Sequence, residues 1–300
     1  MNREANPIPA LFGSVSAWSG TKLSDAPDPP ASATRRCSEA RHSGCLIINA
    51  DDWGRDRRTT GMIFDCILRG ALSSVSAMVF MEDSERAAAI VRQRGIDAGL
   101  HLNFTTPFSA PNCPAGLVER QRELANHLLR HPIARAIFRP GLVRSFEYVV
   151  AAQLDEYRRL YQQDPDRLDG HHHMHLCANV LLRGLLPPGS LVRRHFSFEA
   201  GQKKRLRNWL YRLIADRILA RRHGLVDFFY ALPPLEPPGR LQRIFSLARQ
   251  FVVELETHPV NSEEYRFLAG GGILRWAGDL PIAPHFAAPR RGRTSTGSAR

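Results

Sequence analysis

Short apolar, β-branched runs alternate with helical stretches from Cys45 onward, and several of these runs stop abruptly on Asp, His or Glu. Few architectures accept that rhythm. Strands buried on both faces and joined by crossover helices make a parallel sheet or barrel. CLIINA (45–50) reads as a buried strand ending at Asp51 and Asp52. A helix over 59–70 follows, then a second strand over 71–80. Residues 84–95 read as a helix with Ser84 as N-cap and Gly95 as its stop. A third strand over 96–105 carries His101 near its far end. The stretch 107–145 breaks the rhythm with a helical run around 118–129 and a Pro/Gly-marked loop, and reads as a lid-like insertion. An amphipathic helix over 145–162, a polar fourth strand over 166–176, a basic helix and two strands within 225–232 and 251–260 complete the pattern. One folded domain is expected over 44–286. Residues 1–43, rich in Pro, Ser and Ala, read as a disordered leader, and 287–300 as a disordered basic tail.

With 43% hydrophobic residues, a chain of 300 can bury the core of one large α/β domain. No run approaches the roughly 20 apolar residues that span a bilayer, and the first residues lack the pattern of a secretory signal. A cytoplasmic protein is expected. The five cysteines include no C-x-x-C pair, so they read as reduced and structural. A net charge of +12 raises nucleic acid as a partner, but its distribution argues against one. Between Arg193 and Arg222 ten Lys or Arg face two acids, Glu199 and Asp216. Within that segment 203–222 forms a basic helix with Leu206, Leu210, Leu213, Ile214, Ile218 and Leu219 at helical spacing. A solvated face is the simpler reading of it; weak contact with an anionic membrane surface is the sharper one.

Polar clusters recur at the expected strand ends: Asn49 to Asp52, His101 to Asn103, Asp169 to His175, and Glu256 to Pro259. Ligands bind at that edge of barrels and doubly wound sheets. Alternation along a strand should aim Asp51 and Asp52 in different directions, and put Asp169, His171, His173 and His175 on one face with His172 opposite. A carboxylate with two neutral imidazoles is a recurring catalytic metal site. A second carboxylate and a further His would supply base and acid. The sequence holds no H-E-x-x-H, G-x-S-x-G or P-loop, so serine-hydrolase and nucleotide-hydrolase chemistry have no support.

At LIINADDWG (46–54), GLHLNFT (99–105), RLDGHHHMHL (167–176) and ETHPV (256–260) the chain resembles the YdjC-like carbohydrate deacetylase family, which includes the chitooligosaccharide deacetylases. The resemblance covers roughly residues 45–270. It implies a distorted (β/α) barrel and removal of an N-acetyl group from an amino sugar or oligosaccharide. It also implies one divalent metal ion, Mg2+ by the family association, with Zn2+ compatible with the ligand types. Carried onto this chain, the ligands are Asp52, His101 and His171. Asp51 becomes the base that activates water and His258 the acid that protonates the leaving amine. Asp169 orients a ligand His, and His173, Asn103 and Arg193 lie around the ion or substrate. The chain departs from the family at Arg55, Asp56, Arg57 and Arg58, at Trp53 and at Thr106-Pro107-Phe108, all near the substrate mouth. Two other readings stand beside this one. One keeps the barrel and metal but acts on a lipid-linked or anionic glycan. The other is a non-enzymatic basic protein that binds membrane or nucleic acid, which gives the strand-end Asp and His residues no task.

Overall fold

The computed structural model describes residues 44–131, 133–199 and 206–286. The expected leader and tail, and the lysines that open the basic helix (Lys203 and Lys204), lie outside the described residues.

Seven strands form one parallel sheet: β1 (Cys45–Trp53), β2 (Ser74–Ala77), β3 (Ala98–Leu102), β4 (Arg167–Gly170), β5 (Leu191–Val192), β6 (Phe228–Ala231) and β7 (Val252–Thr257). Their order is β5-β4-β3-β2-β1-β7-β6. Nine α-helices are described: α1 (Arg57–Leu68), α2 (Ser84–Arg94), α3 (Ala115–Leu128), α4 (Val143–Tyr161), α5 (Ala178–Arg183), α6 (Leu206–Leu219), α7 (Gly239–Ala248), α8 (Ser262–Ala269) and α9 (Gly272–Ala277). The sheet curls until its outer strands approach. Val192 donates its N–H to Gly224 O (2.9 Å), and Ser197 to Phe229 O (2.8 Å), so backbone bonds from loops replace an eighth strand. This is a distorted (β/α) barrel.

Two-residue alternation divides each strand between two environments. On β1, Leu46, Ile48 and Ala50 face the helical layer, while Ile47 and Cys45 point inward against Phe229, Val252 and Ala283. Above that apolar floor the interior turns polar: Asn49, Ser74, Ser76, Arg167, Arg193 and Glu254 are all buried. Burying each large apolar side chain stabilises the fold by about 1.5–3 kcal/mol. Each buried polar one must instead find a partner. The 107–145 stretch holds α3, whose Leu117, Leu124 and Leu128 join the core under α4.

Local expectations shift in four places. Strand two spans only 74–77, flanked by Ser73, whose N–H bonds Ile48 O and whose Oγ accepts the Ile48 N–H, and by Met78, whose N–H bonds Trp53 O. Asp83 holds the N-cap position of α2; Ser84 is the first helical residue, its hydroxyl accepting from Met81 N and donating to Met78 O. The fourth strand ends at Gly170, and the His-rich tract coils into a 3-10 turn over His171–Leu176. On α6, Leu210, Leu213 and Ile214 face solvent, and the helix packs through Ala215 and Leu219.

Candidate active site at the strand ends

The polar clusters meet at the C-terminal edge of the sheet. Asp52 breaks the alternation of β1: its φ of 68° lies in the left-handed region, and the register with β2 slips between Ala50 and Trp53. Asp and Asn tolerate that backbone better than most residues. The expectation that Asp51 and Asp52 point apart is therefore overturned. Both carboxylates turn to His101, whose Nε2 lies 3.9 Å from Asp51 Oδ2 and 3.5 Å from Asp52 Oδ1. His171 Nδ1 stands 2.9 Å from the same Asp52 Oδ1.

The histidine tract likewise departs from strand geometry. His172 and His173 both have positive φ (55° and 57°), so the four rings fan out instead of sharing a face. His171 faces Asp52. The His172 ring lies tilted against His171, centroids 4.0 Å apart, and meets Thr105 Oγ1 through Nδ1 at 3.0 Å. His173 lies 3.7 Å from Glu256 and edge-on to Phe196. His175 turns underneath and donates from Nε2 to Arg193 O at 2.9 Å.

Asp52, His101 and His171 offer ligand atoms that all lie within 4.8 Å of one another, and so do those of Asp51, Glu256 and His258. Asp169 holds His101 from behind: its Oδ1 is 2.8 Å from His101 Nδ1, while Ser76 donates to its Oδ2 at 2.5 Å. That bond fixes the tautomer that turns Nε2 toward Asp52. Asn103 is used by its own loop, accepting from Thr105 N and Thr106 N and donating to Thr106 O. His258 is only partly buried, and its backbone N–H is fixed by Glu264 Oε2 at 2.8 Å.

Arg193 is the buried cation beneath the site. It grips Asp51 with two bonds (2.6 and 2.8 Å), Glu254 at 2.8 Å and Asp169 at 3.0 Å. Arg194 turns away to Asp216. Burial alone would raise the Asp51 carboxyl, but Arg193 and His101 outweigh it and hold Asp51 well below the usual carboxylate range. Burial opposes charge on His101 as well, yet Asp51 and Asp169 push its pKa up to about 10. The excess of acid shows in Glu254, raised to about 7 by burial against the pull of Arg193. Glu256 is raised well above the carboxylate range by burial and by Asp51.

The donor set suits a divalent cation. Asp52 Oδ1 is a buried carboxylate oxygen set between two imidazole nitrogens, at 2.9 Å from His171 Nδ1 and 3.5 Å from His101 Nε2, without the geometry of a conventional hydrogen bond to either, in a site whose carboxylates already force protons onto their neighbours. One Asp and two His are compatible with zinc or magnesium.

Sequence reasoning gave no role to Glu254, Arg167, Asn49 or Ser76. Arg167 crosses the interior to Asn49 Oδ1 (2.9 Å), Ser76 Oγ (3.2 Å) and Val75 O (2.9 Å). The available signal was the alternation of Val252-Val253-Glu254-Leu255-Glu256. Two acids on one face of an apolar strand require buried cations opposite them.

Comparison with known proteins gives the chain a family and a fold relative. A family model described as YdjC-like protein matches residues 45–268. A carbohydrate deacetylase of Mus musculus is 31% identical over 144 residues, 45% of this chain and 44% of the relative. A chitooligosaccharide deacetylase of Proteus mirabilis is 30% identical over 135 residues, 45% of this chain and 51% of the relative. The matched region thus spans about half the length of these curated relatives. Among solved structures, an Enterococcus faecalis protein described as a cellobiose-phosphate cleavage protein superposes with a TM-score of 0.56 at 16% identity. It covers 80% of this chain and 97% of its own, a likeness of fold.

Proposed function

The chain belongs to the YdjC-like family, and on that premise we propose that it is a metal-dependent hydrolase removing an N-acetyl group from an amino sugar or oligosaccharide. The observation that carries the reading is the convergence of Asp52, His101 and His171, from three separate strand ends, with Asp52 Oδ1 buried between imidazole nitrogens at 2.9 and 3.5 Å. The names of the relatives supply the substrate class.

In this reading Asp52, His101 and His171 hold the ion, with Asp169 orienting His101. A bound divalent ion supplies polarisation of the acetyl carbonyl and a lowered pKa for water. Asp51, kept ionised and oriented by Arg193, accepts the proton of the attacking water. A carboxylate held this low is a weak base, so it depends on a water made acidic. Glu256 and His258 stand within reach of Asp51, and His258 delivers a proton to the departing amine. His173 and Phe196 border the sugar. We assign magnesium by family association, and a cytoplasmic setting in keeping with the free thiols of Cys66, Cys113 and Cys177. No described helix is long and apolar enough to cross a membrane.

The test pairs metal analysis of the purified protein with acetate release from N-acetylglucosamine oligomers. His101→Ala and His171→Ala should each lower release by roughly a thousandfold or more and strip the metal, with the fold intact by circular dichroism. Normal turnover in either variant removes the assignment. A second reading, favoured by the exposed Leu210, Leu213 and Ile214 on α6, keeps this chemistry but directs it to a lipid-linked amino sugar. Turnover of the lipid-linked substrate well above that of the soluble oligomers selects it.

A further inference from the structure

A band of apolar side chains stands exposed along one side of the rim. On α6, Leu210, Leu213 and Ile214 are 47%, 51% and 49% exposed. The loop 136–141 ahead of α4 is exposed throughout and carries Ile137 and Phe138. Tyr148 on α4 and Leu182 on α5 extend the band. Hydrogen bonds stitch these segments together and to the site. Tyr211 donates its hydroxyl to Leu176 O, at the end of the His171–Leu176 turn, with Arg135 O 3.4 Å from the same oxygen. Asn179 and Arg139 exchange bonds of 3.0 and 2.9 Å, tying the loop to α5, and Arg183 ties α5 to Glu147 of α4.

The charge around the band is one-sided. Segments 134–148, 178–183 and 209–222 contain eight arginines and two carboxylates. Both carboxylates are already engaged, Glu147 by Arg183 at 2.9 Å and Asp216 by Arg194 at 2.7 Å. Arg217 continues the outward face of α6 one turn beyond Leu213 and Ile214, and no described carboxylate pairs with it.

Single exposed leucines need no explanation, but a connected set flanked by uncompensated cations is unlike ordinary solvated surface. The band is spread over the outward faces of three helices and a loop tip. A broad anionic surface with an apolar layer beneath it satisfies both features. Aliphatic side chains enter the acyl boundary while guanidiniums meet phosphates. We propose that this face docks the protein on an anionic lipid membrane, beside the strand-end site. The proposal deepens the lipid-linked reading above, but it is tested by vesicle binding, so failure of the hydrolytic assignment would leave its readout untouched.

The full chain is mixed with phosphatidylcholine vesicles with and without phosphatidylglycerol, at low and high salt. Binding is expected only where phosphatidylglycerol is present, weakening as salt rises. Each arginine near such a surface is worth about 1 kcal/mol, about fivefold in affinity. Arg217→Glu with Arg221→Glu should therefore cost about 25-fold or more. Leu213→Glu with Ile214→Glu should abolish binding. Arg266→Glu with Arg275→Glu, on exposed arginines of α8 and α9, makes the same charge change away from the band and should have far less effect. Melting temperatures of all three pairs establish that they fold. Equal binding to pure phosphatidylcholine, or wild-type binding by the Leu213/Ile214 pair, overturns the proposal. So does a stable dimer that this pair dissociates, since a second copy would then cover the band.

Discussion

Arg193 sits at 1% exposure among Asp51, Asp169 and Glu254, and the identity of those neighbours decides what each carboxylate can do. At Asp51, which Arg193 bonds twice and His101 also faces, the charged form persists; at Glu254, which Arg193 bonds once, and at Glu256, burial prevails and raises the carboxyl. Glu264 gives the clearest measurable case. Burial raises it to about 7, against the bond it accepts from His258 N. A carboxyl raised on folding binds more protons in the native state than in the unfolded one between its ordinary value and about 7. Stability from this group is thus fully present below its ordinary pKa and is lost as pH climbs through 7. Glu264→Gln keeps an acceptor for the His258 N–H and removes that loss. Urea denaturation should find the variant gaining on wild type by up to about 3 kcal/mol between pH 4.5 and pH 8. A stability difference that does not change with pH would show that Glu264 does not titrate in this way.

The strands carry the part of the site that is legible in the sequence. Asn49-Ala50-Asp51-Asp52, His101 and Asp169 stand out because polar residues follow runs too apolar to be loops, and parallel strands deliver such ends to one edge. The motifs shared with the family add the pairing of Asp52 with His101 and His171. Backbone departures stay hidden, because period-two reasoning cannot foresee a left-handed Asp52 or a histidine strand that coils at His172. Nor does anything near Arg167 announce that curling of the sheet carries its guanidinium to Asn49, 118 positions earlier. Gly99 on β3 makes that crossing feasible. A Cβ there would come within 2.9 Å of both Arg167 Cζ and Arg167 O. Gly99→Ala should destabilise the protein by about 1–3 kcal/mol in urea titration, since the buried guanidinium has nowhere to move. Gly61, exposed in the middle of α1, is the contrast, because a Cβ added there would meet nothing within 4 Å. Gly61→Ala should stabilise by about 1 kcal/mol or slightly less. Equal effects at the two positions would mean that Arg167 is not locked against β3.

For the molecule as a whole, an apolar floor supports a polar interior, and that interior supports a rim where carboxylates outnumber buried guanidiniums. Folding such a barrel costs free energy wherever like charges crowd, and a cation bound only by the folded form offsets part of that cost. The ion that completes the proposed chemistry should therefore also be a folding ligand. At one hundred times its dissociation constant, a ligand specific to the native state adds about 2.7 kcal/mol. For a domain of this size that corresponds to a melting point about 5–10 °C higher. Thermal scans of chelator-treated protein, with magnesium or zinc then added, should show such a rise. His171→Ala should flatten it, and removing the exposed side chain in Leu213→Ala should leave it intact. The two rim features are thereby separated without any substrate: the ion acts through Asp52, His101 and His171, while the outer band acts only on membranes. A melting point indifferent to every divalent ion tested would mean that these three residues hold each other, and the hydrolytic reading would lose the chemistry on which it depends.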